Sequence, residues 1–294
     1  MAELKDYKCS YGNDDTSTQA IIKQAGLRIP EVYTNADDMT VLAKIIKQES
    51  NSDFCYLPFC HTVEASALGA DINFGNEFTG PRVRTYVCGN VDEFRDLPEI
   101  DFSKGRINQV LEACRILSAE GENVALEMCG PITVFSALAD IGQIIKGWRK
   151  MPEFMIDVFN NYRGQLIRYM REAFQAGVKL LCYADPAGGL NILGPRLTET
   201  VALEFTAPFL SEGIKIAGNK ALIHLCPKTS YIITGLELAK WHDVGLSGPM
   251  SYEKACLEVC NEVDMVGEIC IQNAMTTLLN SGKIRSLTGL SAGK

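Results

Sequence analysis

Along the chain, two patterns of apolar and polar residues alternate, one typical of buried strands and the other of amphipathic helices. Short, near-continuous apolar runs predict strands at 53–59, 123–129, 178–184, 220–226, 243–247, 263–269 and 283–290. Apolar residues at steps of three and four predict helices at 106–120, 131–138, 152–177, 195–217, 252–261 and 272–280. Strands that are apolar on both faces and alternate with helices are typical of a parallel sheet with helices packed on it.

The number of predicted strands favours a closed barrel over an open sheet. Seven strands are predicted, and an eighth is added if the stretch at 82–87 joins them. We therefore predict an α/β fold, a TIM (β/α)8 barrel, with an N-terminal helical lead-in over residues 1–50. No linker, low-complexity run or internal repeat interrupts the pattern, so residues 1–294 are expected to form a single domain.

The composition argues against several classes of protein. A formal net charge of −8 and a pI near 5.1 argue against a surface for nucleic acid or for an anionic membrane. No apolar run approaches the length of a membrane span, and the polar first residues do not resemble a signal peptide. The 11 cysteines, an odd number without paired spacing, are expected to be reduced thiols. We therefore expect a cytoplasmic protein, from an organism that meets little oxygen.

One predicted strand ends in a pair of residues that are suited to bind a metal ion. His224 and Cys226 are two residues apart, so their side chains project from the same strand face, and Pro227 ends the strand. An imidazole and a thiolate on one face provide half of an open, catalytic zinc site. The alternative is a buried strand that carries a histidine and a small apolar cysteine.

Other chemically active residues also follow predicted strands, where barrel enzymes carry their chemistry. Asp185 is suited to a substrate hydrogen bond or to a role as general base, or else to cap a turn. Cys60 and His61 are placed on the same rim, with a structural role favoured over metal ligation. Glu127 and Cys129 share one strand face, and a packed core thiol is the favoured interpretation of Cys129.

Five motifs, in this order and spacing, resemble one known family. They are LPFCHTVEASALG at 57–69, CGPITVF at 129–135, ADPAGG at 184–189 with LGP at 193–195, HLC at 224–226, and VGEI at 266–269. Over roughly residues 25–290 the chain resembles the uroporphyrinogen decarboxylase superfamily. Within it, the chain is more similar to the methylcobalamin:coenzyme M methyltransferases and their bacterial relatives than to the decarboxylase.

The resemblance implies a zinc site in which His224 and Cys226 match the first two ligands of the methyltransferase branch. That branch takes its third ligand, a cysteine, from the last strand, where this chain has Leu290. Two interpretations stay open: either Cys270, at the tip of the preceding strand, is the third ligand, or the metal site has been lost. If His224 binds zinc, we also expect a hydrogen-bond partner to hold its other ring nitrogen, as is usual for ligating imidazoles.

The function that the resemblance implies is a zinc-dependent methyltransferase. A methylcobamide, which is a corrinoid carried by a partner protein, would donate the methyl group to a small thiol or similar acceptor. Asp185 would orient the substrate, and anaerobic methyl metabolism would be the setting. We expect a wide, partly apolar barrel mouth that admits the face of a tetrapyrrole.

Two alternatives are kept. The first is a porphyrinogen decarboxylase, but the family's arginine-rich stretch is matched here only by Lys23-Gln-Ala-Gly-Leu27, which lacks both arginines. A substrate with four or more carboxylates calls for an arginine cluster. The second alternative is a corrinoid-binding barrel that has lost its metal.

Overall fold

The computed structural model describes residues 15–274 and 276–291, together with Leu4 and Tyr7. The α-helices are Asp15–Gln24 (α1), Glu31–Thr34 (α2), Ala36–Ser50 (α3), Val63–Ala67 (α4), Gly105–Ala119 (α5), Pro131–Phe135 (α6), Ile141–Lys150 (α7), Pro152–Gln175 (α8), Leu190–Val201 (α9), Ala207–Ala217 (α10), Pro227–Gly235 (α11) and Tyr252–Val259 (α12). Helices α1 to α3 confirm the helical lead-in as far as the described residues reach. Within those ranges, no helix is both long and apolar enough to cross a lipid bilayer.

The strands form one large sheet and two small ones. They are Cys55–Leu57 (β1), Asp71–Asn73 (β2), Arg82–Thr85 (β3), Val124–Cys129 (β4), Val178–Ala184 (β5), Leu222–Leu225 (β6), Lys240–Gly245 (β7), Met250–Ser251 (β8), Met265–Val266 (β9), Leu278–Leu279 (β10) and Lys283–Thr288 (β11). The large sheet has the order β1-β4-β5-β6-β9-β11-β7. Its first five strands pair in parallel and alternate with helices, which confirms the predicted α/β fold class.

The end of the sheet differs from the prediction. Strand β11 pairs antiparallel with both β9 and β7, so β7 is an antiparallel edge strand. Every residue of β7 is exposed or partly exposed, because its sequence KWHDVG lacks the apolar run of a parallel strand covered on both faces. The predicted eighth strand does not join the sheet, since β3 pairs with β2 in a separate two-stranded sheet.

The predicted helix at 272–280 is also wrong in the part that the structure describes. A 3₁₀ turn at Ile271–Asn273 is followed by β10, which pairs antiparallel with β8. The hydroxyls of Thr276 and Thr277 both donate hydrogen bonds to the carbonyl of Asn273, at 3.2 and 2.8 Å. Such short side chains offer the backbone an alternative to the helical hydrogen bonds, so a helix is disfavoured here.

Strands β1 and β7, at the two edges of the large sheet, are not joined by a ladder in the described chain. Instead, a buried carboxylate on α12 links the C-terminal part of the chain to the start of β1. Glu253 accepts hydrogen bonds from the hydroxyls of Ser52 and Tyr56, at 2.8 and 2.6 Å, and from the backbone N–H of Asp53 at 2.7 Å. These side-chain contacts bring the two ends of the fold together.

The parallel register places four residues in one row on the same face of the sheet. Glu127 of β4 pairs with Cys182 of β5, Cys182 with His224 of β6, and His224 with Val266 of β9. Side chains alternate between the two faces of a strand, so all four project from one face. The row lies near the carboxyl ends of the strands, where chemistry was expected.

Candidate functional site

A small cavity lies at the carboxyl ends of β4, β5 and β6, with a volume of about 110 Å³. Its chemically active lining residues are His61, Glu127, Cys182, His224, Cys226 and Cys270. None of the described residues that line it is an arginine. The volume is well below the roughly 300–1,000 Å³ of pockets that enclose drug-sized ligands. This cavity has room for a small molecule, and the expected wide mouth for a tetrapyrrole stays a prediction.

His224 is held in one orientation by the backbone. Its Nε2 lies 2.9 Å from the carbonyl oxygen of Ile269, and because a carbonyl only accepts, Nε2 carries the hydrogen. The side chain is 1% exposed, and burial lowers the pKa of His224 to about 4, so the ring is neutral at pH 7. Nδ1 is buried and has no hydrogen-bond partner among the described residues. His224 thus keeps a lone pair on Nδ1, as a metal-ligating imidazole does.

Cys226 and Cys270 lie at the same end of the sheet as His224. Cys226 directly follows β6 and is the N-cap of α11, and its N–H donates to the carbonyl of Tyr183 at 3.0 Å. Cys270 lies four residues beyond β9 and precedes a 3₁₀ turn. Both cysteines are partly buried and line the cavity together with His224. The sequence-predicted ligands are therefore brought to one cavity, and their role as a zinc site stays a prediction.

A second group of potential ligands lies on the other side of β5. The ligand atoms of His61, Glu127 and Cys129 all lie within 4.8 Å of one another. Nδ1 of His61 is 2.5 Å from Oε1 of Glu127 and 3.6 Å from Sγ of Cys129. The pKa of His61 is raised because the Glu127 carboxylate lies beside the ring. Among the described residues, His61, Glu127 and Cys129 are the one group of three potential metal ligands whose donor atoms lie this close together.

Asp185 does not line this cavity. Its Oδ1 accepts hydrogen bonds from the N–H and the hydroxyl of Thr133, at 2.7 and 2.6 Å, and its Oδ2 accepts one from the N–H of Ile132 at 3.2 Å. The carboxylate therefore binds the first turn of α6, where helix N–H groups need acceptors. A Cβ at Gly130 would lie 2.6 Å from Asp185, so only glycine allows this approach. The role of Asp185 toward substrate stays a prediction.

The buried Asp185 carboxyl gives a pH-dependent contribution to stability. Burial raises its pKa to about 6, against 3.8 for the ordinary group, although hydrogen bonds from Thr133 and Ile132 oppose the rise. Between about pH 4 and pH 6 the folded state therefore holds a proton that the unfolded state has lost. The free energy of unfolding must fall as the pH rises through this window, by roughly 1–3 kcal/mol.

We expect this fall to disappear in an Asp185→Asn variant. The measurement is the free energy of unfolding in urea for wild type and variant, between pH 4 and pH 7. As the pH rises, the free energy of unfolding of the variant should increase relative to that of the wild type. Parallel curves across the window would show that Asp185 does not titrate as described.

The sequence predicted that His224, Cys226 and Cys270 lie at one rim, and they line one cavity. It did not predict that Glu127 and Cys129 of β4 form a close group with His61. The spacing of Glu127 and Cys129 matches that of His224 and Cys226, and this was the available signal. The position of His61 beside them depends on the pairing of β1 with β4, which no local pattern encodes. The expected partner for one ring nitrogen of His224 is present, since Nε2 donates to the carbonyl of Ile269, and metal binding by the other nitrogen stays a prediction.

The donor types of the predicted ligand set suit a zinc ion, although among the described residues only the donors of His61, Glu127 and Cys129 all lie within 4.8 Å of one another. An imidazole nitrogen and two thiol sulfurs are the donors that zinc prefers, and three protein ligands leave one position open for a substrate. The buried Nδ1 of His224, without a hydrogen-bond partner in the described chain, is the atom that such an ion would satisfy. A carbonyl that fixes the opposite ring nitrogen is also typical of ligating histidines.

Two curated relatives are methyltransferases by name. The chain is 24% identical over 242 residues to methylcobamide:CoM methyltransferase MtaA of Methanosarcina barkeri. The aligned region covers 81% of this chain and 69% of the relative. It is 23% identical over 221 residues to methylcobamide:CoM methyltransferase MtbA of Methanosarcina acetivorans, which covers 73% of this chain and 64% of the relative. The chain thus spans about two thirds of the length of these relatives.

A solved structure and a family match agree with these relatives. A methyltransferase from Methanosarcina mazei superimposes with a TM-score of 0.61 at 23% identity, over 74% of this chain and 64% of that one. This likeness confirms the predicted class of fold. Residues 16–280 match the family described as uroporphyrinogen decarboxylase (URO-D). Since that match covers most of the sequence, the chain belongs to the uroporphyrinogen decarboxylase family.

Proposed function

We propose that this protein is a zinc-dependent methyltransferase that moves a methyl group from a methylated corrinoid to a small thiol. The observation that carries the proposal is the orientation of His224. Its Nε2–H is bound to Ile269, and its buried Nδ1 lacks a partner in the described chain, next to a cavity that Cys226 and Cys270 also line. The names of the relatives from Methanosarcina support the same reaction class.

In this proposal His224, Cys226 and Cys270 hold the zinc ion. When bound, zinc would supply a Lewis acid that keeps the acceptor thiol as a thiolate at neutral pH. Ile269 fixes the tautomer of His224, so that Nδ1 and not Nε2 offers its lone pair. Cys226 caps the N-terminus of α11, where the helix favours negative charge on a nearby group.

The size of the cavity supports a proposal in which the two substrates occupy different places. A volume of about 110 Å³ accommodates a small thiol, whereas a corrinoid ring is too large to enter. In this proposal the corrinoid stays at the rim, where a partner protein would present it. The corrinoid would supply the methyl group: the acceptor sulfur would form a bond to the methyl carbon while the carbon–cobalt bond breaks with its electron pair left on cobalt, and the thiol proton would pass to solvent.

The test is methyl transfer from methylcobalamin, which serves as a surrogate for the partner-bound corrinoid. Zinc-loaded protein, purified without oxygen, is incubated with methylcobalamin and with coenzyme M, homocysteine or 2-mercaptoethanol. We expect zinc-dependent loss of the methylcobalamin absorbance and formation of one methyl thioether per corrinoid consumed. No transfer to any thiol, together with decarboxylation of uroporphyrinogen by the same preparation, would contradict the proposal.

A further inference from the structure

The grouping of His61, Glu127 and Cys129 carries an inference of its own. We propose that these residues form a second metal site, which binds a divalent transition-metal ion of the zinc type. The site goes beyond the methyl-transfer function and does not depend on it, because it rests on the positions of ligand atoms alone.

The three ligand atoms converge more closely than an ordinary ion pair requires. The carboxylate of Glu127 and the sulfur of Cys129 approach the same ring nitrogen of His61, at 2.5 and 3.6 Å. A single N–H on that nitrogen can be donated fully to only one of them. A metal ion among the three atoms, which lie within 4.8 Å of one another, would instead bind all of them.

The main chain holds Cys129 at this point from both sides. Its N–H donates to Oε1 of Glu64 at 2.8 Å, and its carbonyl accepts a hydrogen bond from the hydroxyl of Tyr162 at 2.8 Å. Glu127 lies two residues earlier on β4, so its side chain leaves the strand on the same face. Ligands held this way need little reorganisation to bind an ion.

The local balance of charge also favours a cation. Oε2 of Glu64 is buried and has no hydrogen-bond partner in the described chain, and the residue is 1% exposed. Glu127 adds a second carboxylate whose side chain is only 13% exposed. The buried cation of this region, Arg106, is directed elsewhere, since its guanidinium donates to Thr62, to Cys60 and to the carbonyl of Tyr33. The carboxylate of Glu127 raises the pKa of His61, so a protonated His61 balances one of these charges, and a divalent ion that displaces this proton would offset both.

The donor set indicates the kind of metal and where its open position lies. One imidazole nitrogen, one carboxylate oxygen and one sulfur suit zinc and its neighbours, and not magnesium or calcium, which prefer oxygen donors alone. His61 and Glu127 both line the cavity, so the fourth position of a tetrahedral ion would open toward it. That position is available to water or to a small ligand in the cavity.

The site is separate from the one predicted at His224. Strand β5 lies between β4 and β6, and Glu127 and His224 occupy the same row of the sheet. Neighbouring strands are about 4.8 Å apart, so the backbones at Glu127 and His224 are separated by roughly 10 Å. Two donor sets therefore face one cavity from opposite sides of β5.

The experiment counts metal ions. Protein is stripped with a chelator without oxygen, reloaded with Zn²⁺ or Co²⁺, passed through a desalting column and analysed by elemental mass spectrometry. We expect two equivalents in the wild type and one in Glu127→Gln and in Cys129→Ser. One equivalent is also expected in the variant His224→Ala/Cys226→Ser, and none when Cys129→Ser is added to it. Cys260→Ser, at the C-terminal end of α12, is the matched thiol control and should keep both.

A spectrum identifies the sulfur ligand directly. In His224→Ala/Cys226→Ser loaded with Co²⁺, we expect sulfur-to-cobalt charge-transfer absorption that disappears on adding Cys129→Ser. Circular dichroism and melting temperature establish that each variant is folded, and Glu127→Gln preserves side-chain shape if Cys129→Ser is unstable. A single equivalent in the wild type would overturn the second site if it persists in folded Glu127→Gln and is lost in His224→Ala/Cys226→Ser. Two equivalents that remain in folded Glu127→Gln would also overturn the second site. A single ion that is lost both in Glu127→Gln and in His224→Ala/Cys226→Ser would overturn it too, because it would indicate one ion shared by the two groups of ligands.

Discussion

Replacing Cys226 with serine should remove the metal from the His224 site and stop methyl transfer. A serine hydroxyl is a poor substitute for a thiolate on zinc, and two remaining ligands hold the ion weakly. Changes to the outer partners of a metal ligand already lower affinity by about 10–100-fold, so loss of a ligand should lower it by more than about 100-fold. We expect the rate of methyl transfer at limiting zinc to fall at least as far. His224→Ala should behave in the same way.

The control for this variant is a thiol that does not face the cavity. Cys260→Ser makes the same chemical change at a partly buried position at the end of α12. It should leave both metal content and transfer rate close to wild type. Cys270→Ser tests the third ligand, because only a ligand would reproduce the loss seen in Cys226→Ser. An unchanged zinc affinity in folded Cys226→Ser would rule out the predicted ligand set.

Removing the Glu253 carboxylate should cause the largest loss of stability. Three donors, on Ser52, Asp53 and Tyr56, would lose their acceptor at a buried position, since Glu253 is 1% exposed. A buried donor without a partner costs about 1–3 kcal/mol. We expect Glu253→Ala to lower the free energy of unfolding by roughly 3–5 kcal/mol and the melting temperature by roughly 10 °C.

Two further variants separate the hydrogen bonds from other effects of this substitution. Glu253→Gln keeps one acceptor oxygen and should lose less stability than Glu253→Ala. Glu258, on the same helix, also accepts two hydrogen bonds, from Ser247, but it is exposed. Glu258→Ala should therefore cost less than about 1 kcal/mol. Equal effects at positions 253 and 258 would show that Glu253 does not hold the two ends of the fold together.

The parts of the fold that were predictable from the sequence are those with a strong local pattern. The run VKLLCYA is apolar on both faces and predicted the buried central strand β5. The antiparallel pairing of β7 and β11 was not predicted, because the direction in which a strand pairs depends on partners far along the chain. The mixed polarity of KWHDVG was the one local sign that β7 is an edge strand.

The candidate site was also predictable from the sequence only in part. The spacing of His224 and Cys226 placed both at one cavity, because a strand ends there and its side chains alternate. The contact of His61 with Glu127 joins residues 66 positions apart, through the pairing of β1 with β4. The hydrogen bond between His224 and Ile269 likewise depends on the packing of β9 against β6. Contacts of this kind follow from the assembled sheet and have no signature in any one segment.

The most direct test of the central claim is the zinc dependence of methyl transfer, measured on one preparation. Protein stripped of metal should show no transfer from methylcobalamin to a thiol above the uncatalysed rate. Restoring zinc should recover the activity in wild type and in Cys260→Ser, but not in Cys226→Ser. If the stripped protein transfers methyl groups as fast as the reloaded one, the account of a zinc-activated thiol at His224, Cys226 and Cys270 is wrong.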